Sequence, residues 1–291
     1  MLTCIINPTA GTGHAMEVAA RIREHAEAHQ LPVRFLETQE PGQAEALARQ
    51  SAAEPDCTGV VSIGGDGTAL ETAQGLIGTR VPLGIVPAGT GNDFIKTAGL
   101  PADPMAVWDI ILKGAHRAVD VGLINGRLFL NACGTGFDVK VLDCAEHFKK
   151  RFRGLMPYLL GLIQAIASYA PVQVKCTADG DPFERPVLIC AVCNGGIIGG
   201  GIPICPVASL HDGKLDLVVV ENVPRRRIPF YLPGLMGKKV LTFGITTHRL
   251  VERVEIDAPG MRLQMDGEIK QMDRAVFEIR PAALELFLPE G

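Results

Sequence analysis

The feature that most constrains this chain is a glycine-rich turn between an apolar run and a helical pattern. The turn reads Gly64-Gly65-Asp66-Gly67-Thr68; apolar residues 59–63 precede it, and a helical pattern from Ala69 to Ile77 follows. Glycines allow positive φ and a close approach of the backbone to a ligand. A helix N-terminus presents unpaired N–H groups and a positive dipole end. The order of strand, glycine turn and helix therefore predicts a phosphate-binding site.

Asp66 narrows the choice of ligand. A carboxylate within an anion-binding loop repels a phosphate unless a cation or a sugar hydroxyl lies between them. The pattern therefore indicates a nucleotide with Mg²⁺. For this turn alone an alternative stays open, in which Asp66 only hydrogen-bonds its own backbone. Thr68 and Glu71 also predict a capping box at the start of the helix.

Three further apolar strands end in small polar residues. They are Leu2 to Ile6 before Asn7, Val33 to Leu36 before Thr38, and Val81 to Val86 before the segment Gly89 to Phe94. Helical patterns alternate with these strands, which predicts a parallel sheet that binds its ligand at the carboxyl ends of the strands. We therefore predict an α/β nucleotide-binding domain with a Rossmann-like parallel sheet over residues 1–120.

The chain from 121 to 274 has a different texture. Its apolar segments are short, rich in β-branched residues and separated by turn signals, which predicts a mainly β second domain. We expect a single helical insertion, from Asp138 to Ser168. The stretch 275–291 either completes the first domain or belongs to the second.

Composition limits the partners and the compartment. The net charge of −4 leaves no overall basic character for nucleic acid, so we expect no nucleic-acid binding. We expect neither a signal peptide nor a transmembrane anchor. Eight scattered cysteines, several of them in apolar runs, favour a reducing compartment, and we expect a cytoplasmic protein. Cys190 and Cys193 are predicted to lie on opposite faces of a core strand, which argues against a shared metal or redox site.

Five motifs occur in one order along nearly the whole chain. They are Gly64 to Thr68, Gly89 to Phe94, Asn194-Gly195 with Gly199 to Gly201, Pro206 to Leu217, and Asp266-Gly267-Glu268. Together they resemble the diacylglycerol kinase catalytic family, especially its bacterial soluble lipid kinases. The resemblance implies a β-sandwich second domain and transfer of the γ-phosphate of ATP to a lipid hydroxyl, such as that of diacylglycerol. It leaves the particular acceptor lipid open.

The resemblance also implies roles for single residues. The expected ATP-binding set is Asn7, Thr38, Gly64, Gly65, Asp66, Gly67, Thr68, Ala69, Leu70 and Thr90. Leu70 departs from the family, which usually has Asn there. Asp66 and Glu268 are the expected catalytic residues, with Glu268 as the base. A structural Mg²⁺ site is expected to use the Asp212 side chain and the carbonyls of Ser209 and Lys214.

From the residues alone, Asp266-Gly267 and Asp212-Gly213 also fit the turns of two hairpins. For Glu268 the hairpin and the base are compatible. For Asp212 the plain hairpin is favoured when the resemblance is set aside.

The sequence leaves two competing functions open and predicts a contact with the membrane. The alternatives are an NAD-kinase-like phosphotransferase with a soluble substrate and a nucleotide-binding regulator without turnover. The basic run Lys149 to Arg153 beside an apolar helical run predicts peripheral contact with the inner membrane face. A solvated basic helix end over a buried face is the alternative. A homodimer is left open.

Overall fold

The computed structural model describes residues 1–149, 151–152 and 156–289. The chain forms two compact units. The first unit contains Met1–Val121, Leu210–Gly213 and the stretch from Arg280 onward, and the second contains Gly122–Ser209 and Lys214–Ile279. No helix within the described residues combines the length and the apolar character that crossing a membrane requires.

The first unit alternates strands and helices. In chain order they are β1 (Leu2–Ile6), α1 (His14–Ala28), β2 (Val33–Glu37), α2 (Gln43–Ala52), β3 (Gly59–Gly64), α3 (Asp66–Leu76), β4 (Leu83–Pro87), α4 (Asp93–Thr97) and α5 (Pro104–Lys113). β1 pairs in parallel with β2 and with β3, and β3 pairs in parallel with β4. Ile6 lies opposite both Glu37 and Ile63, so the carboxyl ends of β1, β2 and β3 are level.

The capping-box prediction for α3 is wrong. The helix already begins at Asp66, with Gly65 as its N-cap residue. The Glu71 carboxylate instead accepts the N–H groups of Gly42, at 2.9 Å, and Ala44, at 3.3 Å. These groups belong to the start of α2, whose N-cap residue is Gly42 and has no side chain to accept them. Glu71 thus caps the neighbouring helix rather than its own.

The second unit is rich in strands. Following β5 (His116–Ile124), which begins in the first unit, the elements are β6 (Arg127–Phe129), β7 (Ala132–Gly136), α6 (Phe137–Lys149), α7 (Met156–Ser168), β8 (Val172–Ala178), β9 (Asp181–Cys193), β10 (Ile197–Ile198), β11 (Ile202–Pro203), β12 (Leu215–Glu221), α8 (Ile228–Met236), β13 (Thr246–Val251), β14 (Arg253–Met265) and β15 (Glu268–Phe287). β9 pairs antiparallel with β7, β8 and β12, and β14 pairs antiparallel with β7, β8 and β15. The prediction of a mainly antiparallel second part is confirmed.

Two apolar clusters occupy the two faces of β9. Cys190 and Val192 belong to one cluster, and Ala191 and Cys193 belong to the other. Alternate residues of a strand point to opposite faces, so the two cysteines of the C-x-x-C lie on opposite faces, as predicted. Both cysteines are fully buried.

Two details of the second unit differ from the sequence expectations. Residues Val240–Thr242, within the part predicted to be mainly β, form a 3₁₀ turn. Helix α8 was not predicted, because Pro229 and Pro233 obscure its helical pattern; proline is tolerated in a first turn and costs stability further in. The predicted helical insertion is two helices, α6 and α7. In the basic run, Lys150 and Arg153 lie outside the described residues.

Candidate functional site

The glycine turn after β3 is tight because neighbouring atoms leave no room for a side chain at Gly64 or at Gly89. A Cβ on Gly64 would lie 2.5 Å from Thr68 Oγ1, and one on Gly89 would lie 2.4 Å from Gly65 Cα. Gly67 faces open space. None of Gly64, Gly65 and Gly67 has a positive φ. The glycines are therefore packed against neighbouring protein atoms, and the close approach to a ligand stays a prediction, whereas the expected positive φ at these glycines is wrong.

The loops that follow β1, β3 and β4 hydrogen-bond to one another. The Asn7 amide donates to Thr68 Oγ1 at 3.2 Å, and the Ala88 N–H donates to the Gly64 carbonyl at 2.8 Å. Gly11 has a φ of +59°, and a Cβ there would lie 2.2 Å from the Ala88 carbonyl oxygen. The structure thus brings these strand ends together.

The remaining residues of the expected ATP set lie around these loops. Thr38 follows β2, and its N–H donates to the Ile6 carbonyl at 2.9 Å. Its hydroxyl is buried and lies 3.4 Å from the same oxygen. Thr90 is exposed, Ala69 is buried, and Leu70 is half-buried.

Asp66 links the glycine turn to α4. Its Oδ1 accepts the Phe94 N–H at 3.1 Å. Asn92, the N-cap residue of α4, makes no side-chain cap bond; its amide bonds Gly89 instead, at 2.8 and 3.1 Å. The alternative in which Asp66 only bonds its own turn is therefore wrong. Burial raises the pKa of Asp66, and the nearby Asp93 raises it further, while hydrogen bonds from the α4 backbone oppose both effects.

Carboxylate oxygens near the turn suit a magnesium nucleotide. Asp93 is buried, and its Oδ1 lies 3.0 Å from Lys96 Nζ. Lys96 also donates to the Gly91 carbonyl at 2.8 Å. Mg²⁺ prefers oxygen ligands and is commonly held by one or two carboxylates together with phosphates. The Asp66 and Asp93 carboxylates fit such an ion.

In the second unit, a two-residue turn positions Glu268. Asp266 and Gly267 have φ of +46° and +92°, and Met265 pairs with Glu268. Positive φ at both central residues is the type I′ pattern of a tight hairpin. The predicted hairpin is confirmed, and Glu268 is the first residue of the strand that follows it. Its side chain is exposed, with Lys270 Nζ 3.4 Å from Oε2.

The Asp266 carboxylate anchors this turn to a distant segment, a contact that sequence reasoning missed. It accepts the N–H groups of Leu130, Asn131 and Ala132 at 2.7, 2.9 and 3.1 Å. Asn194 reaches the same segment, because its amide donates to the Leu130 carbonyl at 2.8 Å. Two motifs far apart in sequence therefore meet at residues 130–132. Hydrogen bonds to charged groups are worth about 1.5–3 kcal/mol each, so the turn is a rigid mount for Glu268.

An apolar cavity of about 410 Å³ lies within the second unit. Its lining comes from the helices α6, α7 and α8, from the strands β9, β10, β11 and β14, and from the chain around the glycine loop 199–201. The lining residues are Phe137, Asp138, Val141, Leu142, Leu159, Leu162, Ile189, Ile198, Gly199, Gly200, Gly201, Ile202, Ile204, Leu232, Leu235, Met236 and Gln264. Asp138 is the ionisable member of this described lining.

Asp138 and Gln264 are the polar side chains of the cavity. Both carboxylate oxygens of Asp138 are buried without a hydrogen-bond partner in the described structure. Burial raises the pKa of Asp138 to about 7. Gln264 Oε1 accepts the Gly267 N–H at 3.1 Å. Gln264 therefore connects the cavity directly to the turn that carries Glu268.

The loop at Asp212-Gly213 is not the turn of a hairpin, so the plain hairpin expected there is wrong. Residues 207–210 form no strand, and β12 pairs with β9 and β13 instead. Within the first unit, Asp120 holds the loop: its N–H donates to the Leu210 carbonyl at 2.7 Å, and its Oδ2 accepts the Gly213 N–H at 2.7 Å. Asp212 is exposed. The metal roles of Ser209, Asp212 and Lys214 stay predictions.

Comparisons with known proteins match both parts of the chain. The family model of the diacylglycerol kinase catalytic domain matches residues 1–124, and that of the YegS C-terminal NAD kinase beta sandwich-like domain matches residues 131–288. A protein of Pseudomonas aeruginosa (strain UCBPP-PA14) named "Probable lipid kinase YegS-like" is 32% identical over 284 residues, covering 94% of this chain and 90% of that protein.

Two further relatives cover nearly the full length. A diacylglycerol kinase of Mycobacterium tuberculosis (strain ATCC 25618 / H37Rv) is 31% identical over 300 residues, covering 99% of this chain and 95% of the relative. The crystal structure of a diacylglycerol kinase from Bacillus anthracis str. Sterne superposes with a TM-score of 0.80 at 27% identity, covering 99% of this chain and 96% of that chain.

Proposed function

We propose that this chain, which belongs to the diacylglycerol kinase catalytic family, is an ATP-dependent lipid kinase. It transfers the γ-phosphate of ATP to a hydroxyl of a lipid such as diacylglycerol. The observation that carries the proposal is the apolar cavity beside the Glu268 turn. Its volume of about 410 Å³ is within the range of ligand pockets, about 300–1,000 Å³. An apolar lining suits an acyl chain, whereas a soluble substrate such as NAD needs polar partners.

Fold and boundaries are part of this proposal. The parallel pairing of β1 to β4 supports a Rossmann-like nucleotide-binding domain over residues 1–120, completed by the stretch from Arg280 onward, which belongs to the same compact unit. The second compact unit, Gly122–Ser209 with Lys214–Ile279, forms the lipid-substrate domain.

The chain's own residues divide the work. Asn7, Thr38, the turn 64–70 and Thr90 bind ATP, and Leu70 provides an apolar contact at the position where the family resemblance implies Asn. Asp66 and Asp93 present carboxylates toward Mg²⁺, which neutralises phosphate charge when bound. The Glu268 carboxylate accepts the proton of the lipid hydroxyl. The Asp212 side chain, with the Ser209 and Lys214 carbonyls, holds a structural Mg²⁺.

The Asp66→Asn variant should keep its fold and lose activity. The amide oxygen of Asn can still accept the Phe94 N–H, but the negative charge toward Mg²⁺ is gone. Because the carboxylate's charge toward the metal is lost, kcat/KM for Mg²⁺-ATP should fall roughly ten- to hundredfold. Steady-state kinetics at varied Mg²⁺-ATP measure this.

Asp103→Asn is the matched control for Asp66. Asp103 also caps a helix, accepting the Ala106 N–H at 3.0 Å, but it lies at the start of α5. Its variant should show unchanged kinetics. Wild-type kcat/KM in Asp66→Asn would contradict the assignment of Asp66.

The exposed faces of α7 and α8 support peripheral membrane contact. Leu159 and Ile163 on α7 are 50% and 60% exposed, and Phe230 and Met236 on α8 are 81% and 61% exposed. Leu159 and Met236 also line the cavity. Apolar side chains around the cavity fit insertion into a lipid surface from which an acyl chain is taken up.

Basic residues precede α8. Arg225 is fixed by hydrogen bonds to the Tyr169 and Ala167 carbonyls, at 2.5 and 3.0 Å, and Arg226 and Arg227 are exposed. A basic residue near an anionic leaflet contributes about 1 kcal/mol. Arg226 and Arg227 are a second basic segment, in addition to the run Lys149–Arg153 that the sequence predicts to contact a membrane.

The double variant Arg226→Gln/Arg227→Gln should bind anionic vesicles roughly tenfold or more weakly than the wild type, because two charges near the leaflet are lost. Vesicle co-sedimentation at low and at physiological salt measures this. Arg21→Gln/Arg80→Gln removes two exposed charges from the first unit and is the control. Equal loss in both double variants, or no loss in either, would contradict this docking surface.

The proposed activity is tested by incubating the chain with γ-labelled ATP, Mg²⁺ and a total lipid extract in mixed micelles. Mass spectrometry identifies the labelled product. We expect a phosphorylated lipid. Label found only in inorganic phosphate or in a water-soluble product would contradict the proposal.

A further inference from the structure

Three side chains of different chemistry meet in the second unit, and none of them is among the expected catalytic, ATP-binding or Mg²⁺-binding residues. They are Cys205, Asp216 and His248, and their Sγ, carboxylate oxygen and ring nitrogen all lie within 4.8 Å of one another. Cys205 and Asp216 are buried, while His248 is half-buried. The lipid kinase proposal gives none of them a role.

The sheet and a close backbone contact hold these three residues in place. Val218 of β12 pairs with His248 of β13, and Asp216 pairs with Leu250. Asp216 and His248 are therefore diagonal neighbours on one face of the sheet. Cys205 follows β11, and its N–H donates to the Gly196 carbonyl at 3.1 Å. A Cβ on Gly196 would lie 2.1 Å from the Cys205 carbonyl oxygen, so only glycine allows this approach.

The three side chains have the charges that suit a divalent cation. Asp216 is 1% exposed, and burying a carboxylate is expensive unless it is paired. His248 Nε2 lies 2.5 Å from Asp216 Oδ1 and supplies one partner. Cys205 adds a thiol. A divalent cation with a thiolate, a carboxylate and a neutral imidazole would have no net charge.

We propose that Cys205, Asp216 and His248 form a zinc-binding site, independent of the predicted Mg²⁺ loop and of the lipid kinase activity. Mg²⁺ and Ca²⁺ take oxygen ligands, whereas Zn²⁺ takes sulfur, nitrogen and carboxylate oxygen together. Zinc–ligand bonds of about 2.0–2.3 Å place tetrahedral donors about 3–4 Å apart. Zinc would move His248 Nε2 and Asp216 Oδ1, now 2.5 Å apart, about an ångström further from each other, and would shorten the longest separation, at most 4.8 Å, by about as much.

Binding involves few changes at the site. The Cys205 thiol proton leaves to solvent as the zinc–sulfur bond forms. The proton shared by His248 Nε2 and Asp216 Oδ1 also leaves this position, so that both atoms bind the metal and the neutral imidazole carries its one proton on Nδ1. The fourth position is taken by water. The side chain of His248 is 28% exposed, which gives the ion a path to the site. The bound ion would join residue 205 to residue 216 and close the chain segment between them.

Cobalt titration of the chelator-treated full chain tests the site. We expect a thiolate-to-cobalt charge-transfer absorption that saturates at one Co²⁺ per chain and disappears when Zn²⁺ is added. Cys205→Ser should abolish the absorption, and His248→Gln should weaken Co²⁺ binding at least tenfold. Cys176→Ser, a buried thiol in the other core cluster, is the matched control and should bind like the wild type. Asp212→Asn should also bind normally.

Three results would overturn the proposal. They are no thiolate absorption in the wild type, an unchanged absorption in Cys205→Ser, and loss of binding in Asp212→Asn. If circular dichroism shows that Cys205→Ser does not fold, His248→Gln decides, because that side chain is partly exposed; wild-type Co²⁺ affinity in a folded His248→Gln protein would contradict the site.

Discussion

Glu268→Gln lowers kcat by about 10²–10⁴-fold, the usual contribution of a general base, and leaves ATP affinity unchanged. The amide cannot take a proton from the lipid hydroxyl, and the proton moves only on the way to the transition state. The substitution does not threaten the fold. Asp266 and Gly267 form the turn, the Asp266 carboxylate anchors it, and the Glu268 side chain is exposed.

The measurement combines steady-state kcat with equilibrium binding of ATP. Glu278→Gln is the control, since Glu278 is a carboxylate further along β15 that pairs with Arg253. Its kcat should equal that of the wild type. A kcat for Glu268→Gln within a few fold of the wild type would return Glu268 to the role of a residue that merely follows a hairpin.

Asp138→Asn should stabilise the protein at neutral and alkaline pH. Burial raises the pKa of Asp138 from 3.8 to about 7 in the folded chain. The folded state therefore binds a proton more tightly than the unfolded state, and stability falls as pH rises from about 4 to about 7. The full effect is roughly 4 kcal/mol, and more than half of it falls between pH 5 and pH 8. Asn has no such titration.

Urea unfolding at pH 5, 6, 7 and 8 checks this prediction. The free energy of unfolding of Asp138→Asn should exceed that of the wild type by an amount that grows with pH. Asp143→Asn is the control, because Asp143 lies on the same helix and pairs with Arg262. If the difference between Asp138→Asn and the wild type were the same at every pH, Asp138 would not be a buried carboxyl held without a partner.

Local pattern was enough to predict the framework of the first unit. The strands before Asn7, Thr38 and Gly64 are present. Short apolar runs that are bounded by turn residues and alternate with amphipathic helices are typical of buried strands. The hydrogen-bond partners of individual side chains were harder to predict from the sequence. Glu71 fits a capping box by spacing, yet it caps α2, since the unpaired N–H groups after Gly42 lie within its reach. The spacing of residues along one helix does not show which groups of a neighbouring helix they contact.

Contacts between distant residues account for what the sequence missed in the second unit. Asp266 bonds residues about 135 positions earlier, and the cavity needs helices and strands that come together only in the fold. In the sequence, Asp138 has ordinary helical residues as neighbours. No local pattern therefore indicates that its carboxylate is buried without a hydrogen-bond partner. The same holds for Cys205, Asp216 and His248, which lie on a loop and two different strands.

The most direct test of the lipid kinase proposal compares acceptors under identical conditions. Labelled ATP and Mg²⁺ are supplied with dioctanoylglycerol in mixed micelles, with NAD, or with neither, for the wild type and for Glu268→Gln. We expect labelled phospholipid with the wild type, little with Glu268→Gln, and no labelled NADP. Labelled NADP, or equal labelling of lipid by the two proteins, would contradict it.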